Sequence, residues 1–183
     1  ISIVLASVVA MTKDNLKARL AFSTVSQLSY VTLGVMLGSP LAMLGGALQI
    51  VMHAWGKITL FMSAGAIYTA TGKTEISQMD GLGRYMPWLF IAYTVGALSI
   101  IGLPPLGGSW PKLFLLQGAW ESGHGWLMVA LIASSILNVA YLLPLSARGF
   151  FSPPAEAKLK KQPPMLVILP PVITAAGVVV LFF

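Results

Sequence analysis

The chain has 183 residues, of which 57% are hydrophobic and 9% charged, with a formal net charge of +6 and no cysteine. Soluble domains draw roughly 25% of their residues from Asp, Glu, Lys and Arg, so this composition excludes a water-covered globule and leaves a bilayer as the solvent for the apolar surface. The basic excess forms no stripe with interleaved aromatics, which argues against nucleic acid. Without cysteine there is no disulfide framework, thiolate metal site or cysteine-ligated cluster.

A spanning helix needs about 20 mostly apolar residues, and the chain offers about six such segments. Residues 1–11 read as the truncated end of one. They lack an initiator methionine and a basic leader, so the sequence is expected to be a piece lacking its N-terminal part. Residues 16–37 make a full span closed by Gly38-Ser39-Pro40. Residues 41–70 exceed one span and are expected to tilt or bend. Residues 87–120 are interrupted at Gly102-Leu103-Pro104-Pro105-Leu106-Gly107-Gly108. Residues 125–147 form a fifth span and 165–183 a sixth, with Pro170-Pro171 near its start. No alternation of the β-barrel kind appears, so the expected class is an all-α membrane protein. The expected divisions are a membrane domain over 1–151, a basic loop over 152–164 and a C-terminal helix over 165–183.

The charges orient these spans. Lys13, Lys17, Arg19, Lys73, Arg84, Arg148, Lys158, Lys160 and Lys161 fall at one set of loops and helix ends, nine of the eleven basic residues, and the opposite loops hold none. The positive-inside rule puts the basic side in the cytoplasm, in what reads as a bacterial inner membrane.

The two other basic residues, Lys57 and Lys112, fall inside spans, whereas every acidic residue lies in a loop or at an end. A lysine at bilayer depth costs about 3 kcal/mol, so such residues face a bundle interior or a watery path and are functional candidates. Burial disfavours the charged form of an amine, the property a proton carrier needs. His53 lies four residues before Lys57 and Gln49 four before His53, so the three share one helix face, and imidazole is a natural proton shuttle. On 16–37, Ser23, Ser26, Gln27 and Tyr30 recur at helical spacing, able either to bond neighbouring helices or to line a water chain. At 102–108, two adjacent prolines remove two backbone donors. Irregular backbone at this depth belongs inside protein or beside a cavity, and Lys112 follows the break by about one turn. With two histidines and no carboxylate at this depth, no metal site is expected. No phosphate loop, HExxH or GxSxG appears, and no cofactor or catalytic site of the chain's own is expected.

Three stretches together resemble the antiporter-like subunits of respiratory complex I and Mrp-type sodium/proton antiporters. Asp14-Asn15-Leu16-Lys17-Ala18-Arg19-Leu20-Ala21-Phe22-Ser23-Thr24-Val25-Ser26-Gln27-Leu28-Ser29-Tyr30 resembles the family's D-[IL]-K-R-x-L-A-Y-S-T-[IV]-S-Q-x-G-Y signature. His53-Ala54-Trp55-Gly56-Lys57-Ile58-Thr59-Leu60-Phe61 resembles its H-A-x-x-K-x-x-L-F stretch. The run from Gly102 to Lys112 resembles its G-x-P-P-x-x-G-F-x-x-K element. The loop from Lys73 to Pro87 looks closest to the Mrp subunit-D branch. Departures are Gln49 where many complex I members carry a second histidine, Gly56 for a common phenylalanine, Pro111 for serine, and Asn15 and Ala18 in the opening signature.

The resemblance implies a fourteen-helix fold with two inverted five-helix repeats, of which this chain would hold the second repeat and the C-terminal helices. It further implies that Lys57 is the central proton carrier, Lys112 the terminal carrier and His53 the bridge. Gln49, Ser23, Ser26, Gln27 and Tyr30 would line the path, and Gly102, Pro104, Pro105, Gly107 and Gly108 would form the break. The expected function is translocation of protons or a monovalent cation such as sodium in a multisubunit cation/proton antiporter, with other membrane subunits and the lipid bilayer as partners. The alternatives are a proton-pumping subunit of a complex I-type NADH:quinone oxidoreductase, whose redox chemistry would reside in other subunits, and a structural scaffold subunit.

Overall fold

The computed structural model describes residues 1–153 and 163–183. The described residues form eight α-helices and one 3-10 turn: α1 (Ser2–Thr12), α2 (Leu16–Leu37), α3 (Pro40–Thr71), the 3-10 turn Ile76–Gln78, α4 (Leu82–Tyr85), α5 (Pro87–Ile101), α6 (Ser109–Glu121), α7 (Leu127–Phe151) and α8 (Met165–Val180). Among them there is no β-strand, only an isolated bridge between Asn15 and Glu75. Most of the basic loop expected over 152–164, with Lys158, Lys160 and Lys161, lies outside the described residues.

The chain is an integral membrane protein. Helices α2, α3 and α7 are each long and apolar enough to cross a bilayer, and α1, α5 and α8 are shorter apolar helices. The span expected over 87–120 is two half-helices, α5 and α6, separated by 102–108. Large apolar side chains point outward, including Leu5 and Val8 on α1, Ile58 and Phe61 on α3, and Ile132 and Ile136 on α7, an arrangement lipid tolerates and water does not.

Local chemistry sets the boundaries. Asn15 caps α2, its side chain accepting from the Ala18 amide at 3.1 Å. Ser39 caps α3 in the same way through the Ala42 amide at 3.1 Å, with Pro40 in the first turn, where proline loses no needed donor. Between them Gly38 closes α2 at φ 64°, a left-handed conformation that favours glycine. The loop 72–86 is more ordered than its sequence suggests. It holds the 3-10 turn and α4, elements too short to leave a periodic signal.

Helix α3 is the hub, packing on α2, α6, α5 and α8, while α7 packs mainly on α1 and α5. Glycine makes the closest approaches possible. A Cβ at Gly34 of α2 would stand 3.0 Å from the Cα of Gly46, and one at Gly45 would stand 2.8 Å from the Leu115 amide and 2.9 Å from the Pro111 carbonyl of α6. The loops gather at two ends. At one, the Leu16 amide donates to Thr74 O, the Ile76 amide to Asp14 O and the Gly81 amide to Arg148 O, each at 3.0 Å. Arg148 pairs with Asp80 at 3.7 Å beside them. At the other end Ser39 Oγ donates to Gly118 O at 3.3 Å.

Candidate functional site

Gln49, His53 and Lys57 lie on successive turns of α3 and all three are buried. Their ridge faces α2. The Gln49 amide donates to Gln27 Oε1 at 2.8 Å, and Lys57 Nζ donates to the main-chain carbonyl of Leu20 at 3.0 Å. That carbonyl also accepts from Thr24 Oγ1 at 3.0 Å. Neither ring nitrogen of His53 has a hydrogen-bond partner among the described residues.

Ser23, Ser26, Gln27 and Tyr30 on α2 are fully buried. They do not form a single line to the lysines. Gln27 meets Gln49, whereas Ser23 accepts from Tyr141 Oη at 3.0 Å, Ser26 contacts Ser7 at 2.8 Å, and Tyr30 donates to Leu131 O at 3.3 Å. The polar face of α2 is thus shared between α3 on one flank and α1 with α7 on the other.

The broken span is built around Lys112. In an unbroken helix the Ile101 carbonyl would accept from the amide of residue 105, but Pro105 has no N–H. The Lys112 ammonium takes that freed acceptor instead, donating to Ile101 O at 2.7 Å and to Ser135 Oγ on α7 at 3.0 Å. Gly102 ends α5 at φ 92°. A Cβ there would lie 2.7 Å from Lys112 Cδ, so the missing side chain gives the lysine its passage. The break is pinned on its far side, with the Gly108 amide donating to Ser99 Oγ at 3.2 Å and the Gly107 amide to Val178 O of α8 at 3.1 Å. The Pro104–Pro105 peptide is cis.

Lys112 opens onto a cavity of about 540 Å³ between α6 and α7, walled mainly by apolar side chains such as Leu113, Ile132 and Ile136, with Tyr30, Ser109 and Ser135 as its polar groups. Its Nζ stands 5.5 Å from the centre of the Tyr30 ring. Lys57 and Lys112 make no hydrogen bond to each other; each ends on a main-chain carbonyl. Among the described residues Arg148–Asp80 is the only ion pair, so neither lysine has a carboxylate partner there.

Several polar residues at this centre lie outside the sequence motifs. Ser7 on α1 and Ser134, Asn138 and Tyr141 on α7 are fully buried. Arg19, whose charge reads as that of a loop-side cation, is 9% exposed and folds inward, Nε donating to Lys13 O at 2.6 Å and Nη1 to Tyr141 O at 3.2 Å.

Residues 1–137 match the family described as NADH:quinone oxidoreductase/Mrp antiporter, TM. The chain is 38% identical over 140 residues to the NADH-quinone oxidoreductase subunit N of Desulforudis audaxviator, an overlap of 76% of this chain and 28% of that protein. It is 29% identical over 164 residues to the F(420)H(2) dehydrogenase subunit N of Methanosarcina mazei, covering 85% of this chain and 33% of that one. The chain therefore spans about a third of the length of the curated relatives it matches. Among solved structures, a chain of the Mrp complex from Dietzia sp. DQ12-45-1b superposes with TM-score 0.90 at 21% identity, over 99% of this chain and 42% of that chain. A chain of respiratory complex I from Thermus thermophilus with bound NADH superposes with TM-score 0.82 at 26% identity, over 98% and 38%.

Proposed function

We propose, for a chain that belongs to the NADH:quinone oxidoreductase/Mrp antiporter membrane family, that it carries protons through the membrane part of a multisubunit complex, with Lys57 and Lys112 as the carriers and His53 as the group that passes protons on from Lys57. The observation that carries this reading is the state of the two lysines. Each lies in an apolar helix, holds a main-chain carbonyl, and has no carboxylate partner among the described residues. A permanently charged lysine gains little from such a setting. A lysine that alternates between charged and neutral forms can use the carbonyl in one state and release it in the other.

In this reading residues 1–151 form the translocating unit and 165–183 a supporting helix. The Gly102, Pro104 and Pro105 break, with Gly107 and Gly108, supplies the acceptor that holds Lys112. Gln49, Ser23, Ser26, Gln27 and Tyr30 line the route. The end that carries Lys13, Lys73, Arg84 and Arg148 faces the cytoplasm of a bacterial cell. Neighbouring membrane subunits supply the drive, and protons, with sodium as counter-ion in an antiporter, are the cargo.

Two parent complexes fit this unit. The likeness in fold to a chain of an Mrp complex favours a cation/proton antiporter. The 38% identity to an NADH-quinone oxidoreductase subunit N favours a redox-driven pump. Purifying the native assembly separates them, because only the second oxidises an electron donor at the expense of a quinone. The proton reading itself is tested by proton movement in vesicles holding the complete assembly, comparing wild type with Lys57→Ala and Lys112→Ala at matched assembled protein. Both variants are expected to lose transport. Normal transport in both would remove the lysine pathway and leave a scaffold role.

A further inference from the structure

We infer that the buried cluster where α1, α2 and α7 meet, built from Ser7, Ser26, Ser134, Asn138 and Tyr141, relays protons between the Lys112 cavity and the Gln49–His53–Lys57 ridge. The inference rests on the proton-carrying reading of the two lysines.

The cluster's hydrogen bonds are over-subscribed. Ser7 Oγ lies 2.9 Å from Ile3 O, 2.8 Å from Ser26 Oγ and 3.1 Å from Ser134 Oγ. Ser26 Oγ lies 2.8 Å from the same Ile3 carbonyl and 3.4 Å from Ser134 Oγ. These five contacts share three hydroxyl protons, one per serine. At any moment two contacts lack a proton, and each hydroxyl can turn from one acceptor to another without losing a partner. One turn along, Tyr141 Oη bonds both Ser23 Oγ, at 3.0 Å, and Asn138 Oδ1. The amide nitrogens Asn138 Nδ2 and Gln27 Nε2 are buried and have no partner among the described residues.

Hydroxyls that only hold helices together look different in the same molecule. Thr94 and Ser146 form a single pair at 2.8 Å, with Thr94 also donating back to Phe90 O. That pair is closed, two contacts for two hydroxyl protons, whereas the α1–α2–α7 cluster is an open one.

Each end of the cluster lies one residue from a lysine site: Ser134 precedes Ser135, which accepts from Lys112, and Ser26 precedes Gln27, which accepts from Gln49 of the ridge. A proton arriving at one serine oxygen forms a new O–H bond as that hydroxyl's own proton leaves for the next oxygen. One O–H bond is made and one broken per step, and rotation of the hydroxyls resets the chain. Water bridges the steps longer than a hydrogen bond.

The test is proton transport by the full assembly in vesicles, with Ser7→Ala, Ser134→Ala and Tyr141→Phe run beside Lys57→Ala and Lys112→Ala. The three cluster variants only remove atoms. They are expected to assemble normally and to transport at least about tenfold more slowly. Ser134→Thr and Ser134→Val, equal in shape, should then differ, the hydroxyl-bearing threonine retaining transport that valine loses. Wild-type rates in the three atom-removing variants, with the lysine variants inactive, overturn the relay and leave the lysine reading standing. A fall in transport that only follows a fall in assembled protein overturns it in favour of helix adhesion. Normal transport in the lysine variants as well removes the parent reading.

Discussion

Replacing Lys57 by methionine should separate function from stability. Lys57 is 6% exposed and its ammonium makes one hydrogen bond, to Leu20 O. An ammonium at bilayer depth costs about 3 kcal/mol, and one hydrogen bond from a charged donor returns about 1.5–3 kcal/mol. The two nearly cancel. Methionine has a similar length and a flexible apolar chain that fills an irregular space, and Leu20 O keeps Thr24 Oγ1 as a donor. Lys57→Met is therefore expected to change stability by no more than about 1.5 kcal/mol, of either sign. For a chain of this length that is a shift of the melting temperature within about 5 °C. Proton transport should vanish. Thermal unfolding of the purified assembly and proton uptake into vesicles measure the two quantities on one preparation. A variant that loses several kcal/mol, or that transports normally, refutes the reasoning.

Three further outcomes follow from the packing and the ends. Gly45→Val should destabilise the protein by about 1–3 kcal/mol or more, because the added atoms meet main-chain atoms of α6 that cannot yield; thermal unfolding reads the loss, and an unchanged melting temperature would contradict the close approach. Asn15→Ala removes both the cap on Ala18 and the 3.1 Å bond to Glu75, and should cost about 1–2 kcal/mol, read as faster amide exchange in the first turn of α2. With no native cysteine, Gln78→Cys and His124→Cys report sidedness: an impermeant maleimide on intact cells should label only the second, and the reverse pattern would invert the proposed orientation.

The parts of the site legible in the sequence were those written along one helix or one loop. The i,i+4 spacing of Gln49, His53 and Lys57 fixes a common face whatever the neighbours are, and Pro104-Pro105 interrupts a helix through covalent chemistry alone. The contributions of α1 and α7 were not legible. Ser7, Ser134 and Tyr141 gain their meaning from which helices touch, and a single hydroxyl in an apolar run carries no information about its neighbour. Arg19 misleads for the same reason: its position near a helix end suggests a loop-side charge, yet the fold turns it onto the Tyr141 carbonyl. The acceptor of Lys112 was half legible, since Pro105 must free the carbonyl of Ile101, but only the fold brings the ammonium back to it.

The glycine contacts of α3 also distribute stiffness. At Gly34–Gly46 and at Gly45 against Pro111 and Leu115, helices α2, α3 and α6 touch backbone to backbone, where nothing can rotate out of the way. Between α6 and α7 the wall is side chains around an open cleft. Lys112 therefore sits between a stiff side, the clamped trio of α2, α3 and α6, and a compliant one, the α7 seam, where side chains rather than backbone would have to move if its charge state changed.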